Sequence, residues 1–233
     1  FFLSVFLLFT SLFGKDSDLL LHISFDNDDT VEEMKSNLEN CSLTARARGE
    51  LDYSKAELVP GIHGQALHLK AGNLLHYHLP ARTLTDLQPP FTIALWAKKT
   101  ERLPEHGILC ATAADAKDFG FELSWFWRRA IFRWGKKNAT VSSEGASLLI
   151  NHWYHIAVTH DGKTVTLYID AIPQAEKEVE VPMNPTKPGY RFTVGQFPTA
   201  FDAYPHVGMI DDIFVLSRAL DKNEIADLAT NSK

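Results

Sequence analysis

The chain has 233 residues, 45% of them hydrophobic and 22% charged, with a formal net charge of −6. That length suits one large all-β domain or two small ones, and the composition is ordinary for a globular protein. The acidic balance argues against a general nucleic-acid or anionic-membrane binder, which needs a concentrated positive field.

The first residues, FFLSVFLLFTSLFG, form a nearly unbroken apolar run over 1–14. A bilayer crossing takes about 20 apolar residues, so this run is too short to span. It suits the apolar region of a secretory signal peptide, with Ser11 and Gly14 as small residues near a cleavage point. A membrane anchor or a buried first strand is the alternative. On the signal reading, the protein is secreted, or sits at the cell surface or in the periplasm. No stable membrane insertion is then expected apart from the signal segment. Cys41 and Cys110 are far apart in sequence, and neither belongs to a Cys-x-x-Cys motif. In an exported protein they suit one disulfide; otherwise they are two buried thiols. Asn40-Cys41-Ser42 and Asn138-Ala139-Thr140 match the glycosylation sequon.

Leu19 to Phe25 reads as a strand, ended by the turn formers Asp26 to Asp29. A polar stretch follows, with a short helical turn expected at Val31 to Lys35. Further strands are expected at Gln65 to Leu69 and Leu74 to Leu79. Pro89-Pro90 is a boundary, because proline cannot donate to a ladder. Strands resume at Phe91 to Lys98, Ile108 to Thr112, Phe119 to Trp127 and Ile131 to Trp134. Asn151 to Ala171 gives the clearest pattern, two period-two runs around Asp161-Gly162, a half-buried hairpin whose turn residues supply positive φ. Ile156 and Val158 share one face of its first run; Val165, Leu167 and Ile169 share one face of its second. Arg191 to Val194 and Met209 to Leu216 complete the strands. Asp221 and Glu224 make a capping-box pair ahead of a helix whose apolar stripe includes Ile225 and Leu228. With no linker or repeat, one domain is expected over residues 19–230. The class is all-β, an antiparallel sandwich or barrel with a short C-terminal helix.

The stretch WFWRRAIFRWGKK combines aromatic and basic residues. By strand alternation Trp125 and Trp127 share a face. A pyranose offers an apolar face and hydroxyls, so Trp125, Trp127, Trp134 and Arg129 are candidate carbohydrate contacts. Packing of the tryptophans between sheets is the competing reading. His76 and His78 share a strand face, but two histidines without a third ligand do not make a metal site.

Four pieces in order resemble the concanavalin A-like lectin/glucanase superfamily, in its laminin-G-like and pentraxin-like jelly rolls. They are Leu21-His22-Ile23-Ser24-Phe25-Asp26, Gly61-Ile62-His63-Gly64-Gln65-Ala66-Leu67, and Phe91-Thr92-Ile93-Ala94-Leu95-Trp96. The fourth joins Trp153 to Thr159, Leu167 to Asp170, and Gly208 to Ile213, ending in Ser217-Arg218-Ala219-Leu220. Ala171 stands where the family usually has Gly, which implies a different turn there. The resemblance implies a two-sheet antiparallel jelly-roll sandwich with a concave face, a fold that hosts lectins, adhesion modules and enzymes alike. Its glucanases carry Glu-x-Asp-x-x-Glu, because retaining hydrolysis takes two carboxyls about 5 Å apart. The nearest stretch here, Glu50 to Lys55, ends in lysine, so a non-catalytic domain is expected. The resemblance also implies one structural calcium ion and no other cofactor. Its ligands would be Asp26, Asp28 and Asp29 with Asp211 or Asp212, since calcium takes about six to eight oxygens. The alternative is a plain turn at Asp26 and a hydrogen-bonded corner at Asp211-Asp212. The expected partner is a glycan or an extracellular protein, and the expected function is binding. A purely structural or adhesion module is the alternative, and a polysaccharide-active enzyme comes last.

Overall fold

The structure is a computed structural model. It describes residues 18–26, 42–43, 56–70, 75–78, 87–102, 104–112, 119–134, 139–144, 147–179, 191–195 and 206–231. The apolar run 1–14, the helical turn expected at Val31 to Lys35, Cys41, Asp28, Asp29, both sequon asparagines and Glu50 to Lys55 lie outside them. So do the side chains of Cys110, His76 and His78.

Fifteen strands in these segments form two antiparallel sheets. The first sheet runs β13 (Ile172–Glu178), β12 (Thr164–Ile169), β11 (Tyr154–His160), β6 (Phe91–Lys99), β15 (Gly208–Leu216), β4 (Gln65–Leu69) and β3 (Ala56–Pro60). β1 (Leu19–Ile23) also pairs with β15. The second sheet runs β10 (Ala139–Ser142), β9 (Arg129–Trp134), β8 (Phe119–Phe126), β7 (Glu105–Thr112), β14 (Arg191–Val194), β5 (Leu75–His78) and β2 (Ser42–Leu43). Ile93, Leu95, Ile156, Val158, Val165 and Leu167 from the first sheet meet Phe121, Leu123, Trp125, Phe132 and Trp134 from the second in one core.

The hairpin of β11 and β12 is where the alternation places it, with Ile156 opposite Ile169 and Val158 opposite Leu167. It differs from the expectation in one respect. Every residue of β11 is buried, on both faces. At Ala157 the outer face is covered by helix α1 (Lys222–Asn231) and the residue leading into it: Leu220, then Ile225 and Leu228 of the helix, pack on Ala94, Ala157, Tyr168, Phe214 and Leu216. The helix starts as its sequence requires. Asp221 Oδ1 accepts from the backbone N–H of Asn223 (2.8 Å) and Glu224 (3.0 Å), while Glu224 Oε2 accepts from Asp221 N–H at 2.8 Å.

The turns refine two expectations. At Asp161-Gly162 only Gly162 takes positive φ. Asp161 acts through its carboxylate, whose Oδ1 accepts from Lys163 and Thr164 N–H, each at 2.7 Å. Those donors hold its pKa below the usual carboxylate value. At the far end of β12, Ala171 keeps the two-residue turn that a Gly would make: Asp170 has φ 50° and Ala171 has φ 61°. The expected different turn is not what forms; alanine adopts the left-handed conformation instead. Left-handed backbone costs a residue with a Cβ about 1–2 kcal/mol, against which glycine loses more entropy on folding. Ala171→Gly should therefore stabilise the domain by about 0.5–1 kcal/mol, a rise in Tm of roughly 2–3 °C. Thermal melts of the two proteins check this, and a lower Tm for the glycine variant would count against it.

Candidate ligand-binding end of the sandwich

Three connections meet at one end of the sandwich, and backbone hydrogen bonds tie them together. Trp127 N–H donates to Pro104 C=O at 2.8 Å, joining the β8–β9 turn to the β6–β7 link. Leu148 N–H donates to Arg128 C=O at 2.9 Å, and Asn151 N–H to Lys99 C=O at 2.8 Å, which brings in the β10–β11 link. From below, the buried Lys99 ammonium donates to the Trp127 carbonyl. The same ammonium lies 5.2 Å from the Trp125 ring centroid, where the π face attracts it. Burial pushes the Lys99 pKa down to about 8, assisted by the positive charges of Arg128 and Arg102.

On this braced backbone Trp127 is 59% exposed, with Leu149 at 52% and Phe126 at 38% beside it. Trp127 has φ 53°. Trp127 and Arg128 form the two-residue loop between Phe126 and Arg129, a hairpin turn that calls for positive φ at its first residue, and it carries the Trp127 ring away from the core. Arg102, Arg128 and Arg129 are exposed around it. Arg129 Nη1 pairs with Glu144 Oε1 at 3.2 Å.

The other two tryptophans are placed differently from the carbohydrate-contact expectation. Trp125 is 0% exposed and Trp134 is 1% exposed, so neither offers a ring face to a ligand. The strand period is the reason. Phe121, Leu123 and Trp125 alternate inward along β8, and Ala130, Phe132 and Trp134 do the same along β9. β8 then ends at Phe126, so the alternation that would have put Trp127 beside Trp125 stops one residue early. Burying a tryptophan removes about 150–250 Å² from water, worth roughly 4–6 kcal/mol. That outweighs the Trp125 Nε1–H, which has no hydrogen-bond partner among the described residues, a cost of about 1–3 kcal/mol. Trp127 and Arg129 remain as surface candidates.

The aspartates expected as calcium ligands sit at a second corner. The outer edge of β15 changes partner there, from β4 at Ile210 to β1 at Ile213. Opposite, the ladder to β6 slips between Asp211 and Phe214, and Asp212 takes φ 44°. This is a bulge, and it turns the Asp pair toward the β3–β4 turn. Asp211 Oδ2 accepts from Ile62 N–H (2.9 Å) and His63 N–H (3.2 Å), and Oδ1 accepts from Asp212 N–H (2.9 Å). Asp212 Oδ1 is 3.2 Å from His22 Nε2, and Oδ2 is 2.7 Å from His63 Nδ1. Asp26 Oδ1 accepts from Gln65 N–H at 2.7 Å. The two turn glycines make room for this. A Cβ on Gly61 would lie 2.3 Å from Asp211 Oδ2, and one on Gly64, at φ 62°, would lie 2.2 Å from Asp26 Oδ1.

Asp28 and Asp29 lie outside the described residues, and the acids that are described are engaged by the protein itself. Asp211 spends both oxygens on backbone donors, Asp212 faces two imidazoles, and neither histidine is a hard oxygen ligand. Among the described residues no group of three or more His, Cys, Asp or Glu side chains is arranged to hold a metal ion. The corner locks the Gly-x-x-Gly turn onto the last strand.

Burial dominates the electrostatics here. It pushes the Asp211 pKa up to about 7, helped by Asp212 and Asp26 and opposed by the N–H donors of His63 and Ile62. Burial pushes Asp26 up as well. His155, on β11, is pulled down to about 3 by burial and then by the charge of His63. Asp211, raised in the fold, contributes stability that is full below its unfolded value and lost as pH rises through about 7. His155, depressed in the fold, contributes stability that is full above about 6.5 and lost as pH falls toward about 3. The two oppose each other between about pH 4 and 6.5. The His155 Nδ1 is buried without a partner among the described residues, so the ring is removable. His155→Leu should gain on the parent by about 1.4 kcal/mol for each pH unit lowered below 6.5. Urea unfolding of both proteins from pH 4.5 to 7.5 measures this, and a constant offset would contradict it.

The two antiparallel sheets define a jelly-roll sandwich. The chain belongs to the concanavalin A-like lectin/glucanases superfamily: that superfamily's Laminin_G_3 model matches residues 73–226. No curated protein matches the chain in sequence. Among solved structures, it is similar to domain 4 of AbnA, a GH43 extracellular arabinanase from Geobacillus stearothermophilus, in complex with arabinotriose. That likeness has a TM-score of 0.69 at 20% identity, over 93% of this chain and 100% of that one. It is also similar to the binding domain of botulinum neurotoxin DC in complex with SialylT, with a TM-score of 0.63 at 15% identity, over 94% of this chain and 52% of that one. A binding domain of the same toxin in complex with rat synaptotagmin II has a TM-score of 0.60 at 15% identity, over 82% of this chain and 47% of that one. The chain thus spans about half the length of the toxin domains.

Proposed function

We propose that this chain is an exported, non-catalytic carbohydrate-binding domain, and that the Trp127 end is where a sugar sits. The observation that carries the reading is the Trp127 ring, 59% exposed on a backbone pinned by Pro104 and Lys99. A stacking platform held rigid before binding loses little entropy when a ligand arrives, and tryptophan supplies more contact area than any other side chain. Arabinotriose and SialylT in the complexes of structural neighbours support the ligand class. The expected glycan contacts reduce to Trp127 and Arg129. Export rests on the apolar run 1–14, and calcium forms no part of the proposal. A glycan array probed with residues 18–233 tests the reading: retention of oligosaccharides supports it, and an array without signal at protein concentrations of about 100 µM refutes it. A protein partner is the second reading, favoured by the synaptotagmin II complex of a neighbour.

A further inference from the structure

The charges around Trp127 run against those of the molecule. The chain as a whole is at −6, yet Arg102, Arg128 and Lys99 converge at this end. Arg129 is neutralised by Glu144, and Glu101 is exposed beside Arg102 in sequence; the side chain of Glu105, opposite Phe126 by register, lies outside the described residues. Arg102 and Arg128 have no ion-pair partner among the described residues. A solvated guanidinium on a protein surface is ordinary by itself. Here two of them flank an aromatic platform, above an ammonium that is buried and fixed in place by its bond to the Trp127 carbonyl. The Lys99 charge is held in a low-dielectric site, where its field is screened less than that of a surface lysine. Among the described residues no carboxylate pairs with Arg102, Arg128 or Lys99, so the three positive charges at this end are open to an anionic group.

We infer that the ligand carries that group, and that the domain recognises an acidic oligosaccharide, a uronate- or sialate-bearing glycan. The inference rests on the carbohydrate reading of the Trp127 end and names its ligand class. The sugar ring stacks on Trp127 and its carboxylate meets the Arg128 and Arg102 guanidiniums, whose planar forks match a carboxylate with two parallel hydrogen bonds. Lys99 acts from below as a fixed charge and does not touch the ligand.

Isothermal titration with four probes tests this: trigalacturonate and 3′-sialyllactose against their neutral counterparts arabinotriose and lactose. The expected result is binding of an acidic probe at least 10-fold tighter than either neutral one, weakened as NaCl rises from 50 to 500 mM. In the double variant Arg102→Gln with Arg128→Gln, the acidic preference should fall at least 10-fold while the Tm stays unchanged. Both side chains are exposed, and the backbone bonds of the turn do not use them. Equal affinity for neutral and acidic sugars, unaffected by the double variant, overturns the inference and leaves the carbohydrate reading standing. Binding of none of the four, with a silent glycan array, overturns both. Binding to phosphatidylserine vesicles without binding to the free acidic sugars overturns the inference in favour of a lipid surface.

Discussion

Trp127→Ala loses glycan retention and keeps its melting temperature. The ring lies outside the core and is 59% exposed, so its removal forfeits little packing. Surface substitutions of this kind stay within about 0.5 kcal/mol of the parent. In binding, a tryptophan that anchors a ligand is worth about 2 kcal/mol or more, a weakening of roughly 30-fold. Trp127→Gly sharpens the comparison. The left-handed backbone at φ 53° suits glycine better than tryptophan, so this variant should be at least as stable as the parent and equally unable to bind. Trp125→Ala behaves in the opposite way. Its ring is fully buried among the sheets, and its loss should cost about 3–5 kcal/mol. Affinity electrophoresis and thermal melts on the three variants separate a platform from a core residue. Unfolding of Trp127→Ala, or undiminished retention, contradicts the assignment.

Asp211→Ala is expected to lower stability by about 3 kcal/mol, or roughly 6–12 °C in Tm. The carboxylate is fully buried and satisfies three backbone N–H groups, of Ile62, His63 and Asp212. Each donor left without a partner costs about 1–3 kcal/mol, and relief of the buried charge returns part of that sum. Gly61→Ala attacks the same contact from the other side, because its Cβ would fall 2.3 Å from Asp211 Oδ2. The two losses should not add. In the double variant the contact with Asp211 is gone, although the Cβ would still lie 2.9 Å from the Gln65 carbonyl carbon, so Gly61→Ala costs less there than in the parent. Urea unfolding of the four proteins gives the cycle; a loss below about 1 kcal/mol for Asp211→Ala would remove the corner from the account.

How far the sequence reaches depends on what each residue answers to. β6, the β11–β12 hairpin, β15 and α1 are legible because their side chains report burial with a fixed period, or a cap with a fixed spacing. β13 is not, since it is an edge strand whose residues are mostly exposed, with Pro173 in its interior and no apolar alternation. β3 and β10 are likewise short and near an edge. The Asp211-Asp212 corner was readable as acid placed in a strand, but whether it served an ion or backbone donors depended on Ile62 and His63, almost 150 residues away. The candidate site was half visible. Trp125, Trp127 and Trp134 look alike in sequence, and only the end of β8 after Phe126 separates the platform from the two core residues. Lys99 gave no signal at all, because its role rests on the Trp127 carbonyl rather than on any motif.

The protein has five tryptophans and therefore five indole N–H resonances. Following them in proton–nitrogen spectra while titrating an oligosaccharide that the array retains reports which ring meets the ligand. The Trp127 resonance, assigned by its disappearance in Trp127→Ala, should shift in a saturable manner while those of Trp125 and Trp134 stay in place. A stationary Trp127 resonance with saturable shifts elsewhere would move the binding site away from this end of the sandwich.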